Sequence, residues 1–316
     1  MNERLRIGVS ACLLGQEVRF DGGHKKDDFL TTILGPHVEF VPVCPEVEMG
    51  LGTPRETLRL VRQGRTLRMV TTRSGIDHTD GMHRWASRRL EELAHENLSG
   101  YVLKKDSPSC GMERVKTYGA GAITARNGRG LFASALLDRL PLLPVEEEGR
   151  LSDAVLRENF IERVFAYRRL QDLFQPRWTA GALVVFHTAH KMSLLAHSTT
   201  AANDLGRLVA RARSRVRADL RRDYATMFMR ALAIPATRAR HTNVLQHMAG
   251  HLKNLLDEAS RKELAGCIDE YRRGLVPLVV PLTLVRHYLR RHHVPYLQGQ
   301  VYLEPHPREL MLRNHV

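Results

Sequence analysis

Three cysteines stand beside residues able to move protons or attack carbon. Cys12 lies in "VSACLLG", Cys44 in "PVCPEVEMGLGTPRE" and Cys110 in "KKDSPSCG". Glu46 follows Cys44 by two positions, with Pro45 between them to stiffen the turn. Glu48 and Glu56 are nearby, Ser107 lies three residues before Cys110, and Ser109 directly precedes it. A carboxylate and a hydroxyl next to an open metal position suit a general base and a nucleophile or orienting group. Three thiolates admit more than one centre. Zinc takes a fourth protein ligand in a structural site and a water in a catalytic one. An iron–sulfur cluster is normally held by four thiolates, so three leave one iron free for substrate. A metal-free alternative is a sulfur carrier with a persulfide on Cys110, and the plainest is three small core residues, since no CxxC pair is present. Taken singly, Ser107 also reads as a turn residue before Pro108, and Glu46 as a solvated loop acid. Cys267, in "KELAGCIDEYRR", falls on a core stripe with Leu264, Ile268 and Tyr271 and is expected to be a buried, inert thiol.

The elements around these residues alternate. Strands are expected over 5–10, 38–43, 66–72, 101–103 and 141–145, and helices over 26–34, 79–98 and 131–138. Met82, Ala86, Leu90, Leu93 and Ala94 give the second helix its apolar face. The alternation argues a mostly parallel α/β sheet over residues 1–150. Cys12 and Cys44 then follow the first two strands, and Cys110 lies in the loop after 101–103. Parallel α/β sheets bind ligands at the carboxyl ends of their strands, so thiols 32 and 66 residues apart meet at one rim. The turn "DGGHKK", with His24 and Lys25, has no strand feeding it and no Lys-Ser/Thr after its glycines, so it is not a phosphate loop. From 151 the character changes to helix. A helical linker is expected over 151–177 and a basic all-α domain over 178–316, ending in a looped tail.

Charge divides the chain the same way. The net charge is +14. Residues 1–150 hold 22 Lys+Arg against 20 Asp+Glu; residues 151–316 hold 26 against 14. A basic second half implies a polyanion such as RNA. Within it, "GRLVARARSRVRADLRRDY" is expected as one helix over 206–224, with Arg207, Arg211 and Arg215 on one face as RNA contacts and Arg213, Arg217 and Arg221 on the next. A solvated bundle face is the alternative. His247 and His251 are four apart but have no HExxH arrangement around them. Apolar residues make up 43% of the chain, charged residues 26%, and cysteines number four. No run is long enough to span a membrane, the N-terminus shows no export signal, and the cysteine usage suits the cytoplasm.

Together, "VSACLLG" with "RFDGG", "PVCPEVEMGLGTPRE" and "KKDSPSCG" resemble the thiouracil desulfidases, over roughly residues 4–150. The resemblance implies a [4Fe–4S] cluster held by Cys12, Cys44 and Cys110 with one iron not ligated by protein, a catalytic acid at Glu46, and a catalytic serine at Ser107 or, as the alternative, Ser109. The second half, with "FHTAHKMSLLAHS", "ARHTNVLQHMAGHLK" and "PYLQGQVYLEPHPRELMLRN", resembles a helical domain fused to that module in a form acting on tRNA. The implied reaction is non-redox removal of sulfur from 4-thiouridine in tRNA with release of sulfide. Free 2-thiouracil is the alternative substrate, and a zinc-stiffened RNA-binding protein without enzymatic activity is a rival. No membrane and no obligate protein partner are expected.

Overall fold

The computed structural model describes residues 5–119 and 122–315. The chain divides into two compact units, Met1–Asp153 and Ala154–Val316. The expected linker is therefore mostly helix α4 (Ala154–Leu173), which belongs to the second unit.

The first unit is α/β. Strands β1 (Leu5–Ser10), β2 (Val38–Val43), β5 (Leu98–Leu103) and β8 (Val145–Glu147) form one wholly parallel sheet in the order β2-β1-β5-β8. All six residues of β5 are buried, the mark of a central parallel strand covered on both faces. Gly8 on β1 has a specific reason: a Cβ there would stand 2.2 Å from the ring of Tyr101, so only glycine lets the fully buried tyrosine cross. Helix α2 (Thr79–His95) buries Met82, Trp85, Ala86, Leu90 and Leu93, and α3 (Leu131–Arg139) buries Phe132, whose ring centre is 5.4 Å from that of Trp85 and 5.9 Å from that of Tyr101.

A second sheet, β4-β3-β6-β7, was not anticipated beyond one strand. It joins β3 (Leu58–Gln63), β4 (Thr66–Thr71), β6 (Val115–Gly119) and β7 (Ala122–Gly128), with two antiparallel pairs and one parallel. Three boundaries also differ from expectation. The helix over 79–98 stops at His95, and Leu98 opens β5 after Asn97 turns the chain at φ 52°. The first helix is one wide turn over Phe29–Leu34, and the last strand starts at Val145.

The second unit is all-α. Helices α5 (Ala180–His197), α8 (Arg238–Leu252), α9 (Glu258–Arg273) and α10 (Val279–Arg291) share a core of Met192, Leu245, Met248, Ile268 and Val285, closed by Tyr302 from the tail. Residues 206–224 are not one helix. Helix α6 (Thr199–Ala210) ends, a tight turn covers Ala212–Ser214, and α7 (Arg217–Leu232) begins. A straight helix would carry Tyr224 and Phe228 away from α5; the break returns them to Phe186, with ring centres 6.2 and 5.3 Å apart. On α9, Leu264, Ile268 and Tyr271 are buried as expected, but Cys267 sits at the edge of the stripe, half-buried. Among the described residues no helix is long and apolar enough to cross a membrane.

A polar network lies inside this bundle. Glu158 accepts from Arg313 Nε at 3.0 Å and pairs with His315 at 2.8 Å, while Glu162 faces His197 Nε2 at 3.4 Å. Burial would raise the Glu162 carboxyl, but His197 and Arg313 outweigh it and hold it low; His197, in turn, is raised against its own burial by Glu162. Three other histidines make no ion pair among the described residues, and burial outweighs the carboxylates near His190 and His241. Burial holds His187, His190 and His241 down to about 4, from an ordinary value of 6.5. Their neutral forms stabilise the fold above 6.5, and that contribution is lost as pH falls towards 4. His197 works in the opposite sense, its contribution present below 6.5 and lost as pH rises through its raised value, but it is outnumbered, since burial lowers His247 and His306 as well. Urea unfolding of the full chain, followed by helical circular dichroism, should show a lower midpoint at about pH 5 than at about pH 7. Equal midpoints would contradict the burial of those neutral rings.

Candidate metal centre and active site

Cys12, Cys44 and Cys110 line one hollow of about 360 Å³ in the first unit. Each follows a strand of the parallel sheet: Cys12 in a tight turn after β1, Cys44 at the end of β2, Cys110 in the loop after β5. Neighbouring strands β2, β1 and β5 thus bring their carboxyl ends to a single rim. Local bonds hold each cysteine. The Cys12 carbonyl accepts from Lys25 N–H at 2.9 Å, which folds the following loop back over the turn. Pro45 starts a one-turn helix, α1 (Pro45–Glu48), and Glu48 accepts the Cys44 N–H at 3.0 Å. Ser10 Oγ accepts the Lys104 N–H at 2.9 Å, tying the end of β1 to the end of β5.

All four cysteines are free thiols. Burial pushes Cys12 up to about 11 and Cys44 up to about 12, with Glu46 adding to both, and raises Cys110 well above the ordinary value. The thiols also raise one another, as Cys12 does Cys44 and both do Cys110. Such thiols shed their protons when a bound cation compensates the charge. Three soft sulfur donors in a desolvated hollow suit an iron–sulfur centre, and no fourth thiol lines it. Among the described residues no three His, Cys, Asp or Glu side chains converge as ligands of one metal ion. Separate irons of a cluster each take their own thiolate, so convergence on one point is not what a cluster needs.

Glu46, Ser107 and Ser109 form a hydrogen-bonded chain at this rim. Ser109 Oγ donates to Glu46 Oε1, and Ser107 Oγ lies 2.9 Å from Ser109 Oγ. Ser107 Oγ also accepts the N–H groups of Ser109 at 3.2 Å and Cys110 at 3.1 Å. With the Ser109 proton committed to the carboxylate, Ser107 is left to donate to Ser109. Ser107 lines the hollow, whereas Ser109 is fully buried behind it. Glu46 Oε2 stands 3.7 Å from Cys44 Sγ and 3.8 Å from Arg55.

Arg55 is the residue that sequence reasoning passed over. Its side chain is 9% exposed, and one terminal nitrogen donates to the Val18 and Gly52 carbonyls at 2.9 Å each. It sits inside the quoted "GLGTPRE" segment, so its signal was a cation within reach of the "CPE" acid. The neighbouring acids have other work. Glu48 holds Cys44 and Arg89, the latter at 3.2 Å, and Glu56 accepts from Ser74 N–H and Oγ at 2.8 Å each. His24 accepts from Lys26 N–H at 3.2 Å within its turn, and Lys25 lines the hollow.

The expected stripe Arg207, Arg211 and Arg215 does not share a helix face, because α6 ends before Arg211 and α7 starts after Arg215. Arg207 pairs with Asp204 at 3.0 Å and Arg215 with Asp223 at 2.7 Å. Arg217 and Arg221, from the neighbouring set, remain one turn apart on α7, while Arg213 lies in the break.

The first unit matches the family model described as 2-thiouracil desulfurase over residues 7–148, and residues 191–307 match a domain of unknown function, DUF1722. The chain is 36% identical to the uncharacterized protein YbgA of Escherichia coli (strain K12) over 156 residues, which is 48% of this chain and 90% of that one. It is 33% identical to the uncharacterized protein YbbK of Bacillus subtilis (strain 168) over 138 residues, 41% of this chain and 88% of that one. A solved structure of TudS, a [4Fe–4S]-dependent thiouracil desulfidase, shares 36% identity over 49% of this chain and 97% of its own, with a TM-score of 0.40. The chain belongs, through its first unit, to the 2-thiouracil desulfurase family.

Proposed function

We propose that the chain removes sulfur from thiolated uracil without net electron transfer, with 4-thiouridine in tRNA as substrate and uridine and sulfide as products. The observation that carries this is the single hollow shared by Cys12, Cys44, Cys110, Glu46 and Ser107. The three thiols would hold a [4Fe–4S] cluster and leave one iron without a protein ligand. When bound, the cluster supplies a soft Lewis acid for the thiocarbonyl sulfur.

The protein's own groups manage water and protons. Glu46 Oε2, the oxygen not taken by Ser109, accepts a proton from the water that adds to the ring carbon. Arg55 keeps that carboxylate oriented. Ser107 orients the ring, its oxygen polarised by two backbone N–H donors and its proton directed to Ser109. Replacing C=S by C=O with one water and releasing hydrogen sulfide changes no oxidation state. The hollow, about 360 Å³, would have to hold the cluster as well as the substrate, so it takes no more than one nucleobase and RNA must present its thiouridine unstacked. The basic second half favours RNA over free 2-thiouracil, which the same hollow also accommodates.

Anaerobically purified protein incubated with 4-thiouridine-containing tRNA should lose thionucleobase absorbance and release sulfide. Cys12→Ala should abolish both the bound iron and the visible absorbance. Glu46→Gln should keep the iron and lower the rate about 10²- to 10⁴-fold, the usual worth of a general base. Full activity in Glu46→Gln would overturn its role, and an active, iron-free preparation would favour the persulfide carrier.

The serine pair allows a separate check. A Cβ at Gly130, which opens α3, would stand 2.4 Å from the Ser109 carbonyl oxygen and 2.9 Å from the Cys110 nitrogen, both backbone atoms that cannot rotate aside. Gly130→Ala should therefore lower iron retention per chain while the helical unit's unfolding midpoint stays unchanged. Full iron content in that variant would show that the loop's position is not what holds the cluster.

A further inference from the structure

Two arginines of the second unit rest on aromatic rings with their charge unspent. Arg217 and Arg221 lie one turn apart on α7 and face the α4–α5 connection. The Arg217 guanidinium carbon is 5.0 Å from the centre of the Trp178 ring, and that of Arg221 is 5.7 Å from Phe174. Both arginines are exposed, and among the described residues neither is in an ion pair. Their neighbours differ. Arg222 pairs with Asp219 at 2.9 Å and Asp223 at 3.4 Å, and Arg215 holds Asp223 at 2.7 Å. The two arginines and Trp178, with Pro176, Ala218 and the ion-paired Arg222, bound an open hollow of about 530 Å³.

Stacking fixes the plane of a guanidinium without neutralising it. Less side-chain freedom is then lost on binding, and the in-plane N–H groups stay available to anions. The Arg217 guanidinium is an exposed cation seated against an indole, 5.0 Å from its ring centre. Unstacked RNA bases are recognised by stacking on such planes, and phosphates by the N–H fork. A carboxylate-rich peptide would use the charge but not the plane.

The geometry points to a binding site at Arg217, Arg221 and Trp178 for a single-stranded segment of RNA. Phosphodiester oxygens lie on the N–H groups of both arginines, and one unstacked base lies on the outer face of Arg217. The inference rests on the RNA reading above and gives it a location, distinct from the stripe Arg207, Arg211 and Arg215.

The test uses the full chain and a fluorescein-labelled single-stranded RNA, with affinity measured by anisotropy across a salt series. Two phosphate contacts on single-stranded RNA contribute roughly 1.4 to the log–log salt slope, so Arg217→Ala/Arg221→Ala should flatten the slope by that amount and weaken binding at low salt about tenfold or more. The control Arg207→Ala/Arg211→Ala removes the same charge from α6 and the turn after it and should leave the slope close to wild type. The chain has two tryptophans, and in a Trp85→Phe background RNA should quench Trp178 fluorescence. Equal effects from both arginine pairs, with no Trp178 response, would reduce the site to diffuse charge and overturn it while RNA binding itself stands. Displacement of the RNA by polyglutamate at equal charge concentration would also overturn it in favour of an acidic partner. A wild-type chain that binds no RNA at low salt would remove the RNA reading and this site together.

Discussion

The first unit depends on burying three thiols at the ends of three adjacent parallel strands. An unpaired thiolate is costly in a desolvated hollow, and Cys12, Cys44 and Cys110 answer that cost by holding their protons. A bound metal centre reverses the balance, because it supplies the charge that water no longer can. The parallel sheet makes this possible. Strand β1 lies between β2 and β5, so the chain leaves the sheet at the same rim each time. Bonds that look incidental then serve the rim. Ser10 to Lys104 joins two strand ends, and Glu48 to Cys44 closes a one-turn helix.

The second unit handles buried polarity differently. Glu158 and Glu162 lie one turn apart on α4 and are both ionised, held there by Arg313, His197 and His315 after paying for their burial. The tail residues Arg313 and His315 tie the last segment to α4, and the Arg313 carbonyl, accepting from Val279 N–H at 3.1 Å, ties it to α10 as well. Removing one member of such a network leaves an uncompensated buried charge, which is costlier than never having built it.

How much of this was written legibly in the chain depends on the kind of signal. Strand 5–10 stood out by its alternation and strand 38–43 by its Val and Phe content. Strand β3, "LRLVRQ", did not: it is only partly buried, and although β4 follows it in a hairpin, its other partner, β6, lies far along the chain. The break between α6 and α7 is also tertiary: it exists to bring Tyr224 and Phe228 to Phe186, which local propensity does not record. At the candidate site, residue types were readable and their order was not. Both serines were visible as candidates. Only coordinates show that Ser107 lines the hollow while Ser109, behind it, links it to Glu46. Arg55 was hidden for the same reason, since an arginine nine residues from a glutamate carries no directional information.

These observations divide labour by charge and by shape. The first unit is nearly neutral and holds a hollow large enough for one base, whereas the second carries almost all the excess cation. Taking a base out of a stacked RNA costs a few kcal/mol, and a pocket that recognises only the base must recover that from its own contacts. Phosphate contacts elsewhere add affinity but do not select the unstacked form. Under the RNA reading, a guanidinium held against an indole would select it, since a stacked base has no free face to offer. Cationic surface without such a group would hold paired and unpaired RNA alike. Under that reading, the pairing of Arg217 with Trp178 would make the basic unit more than an electrostatic handle.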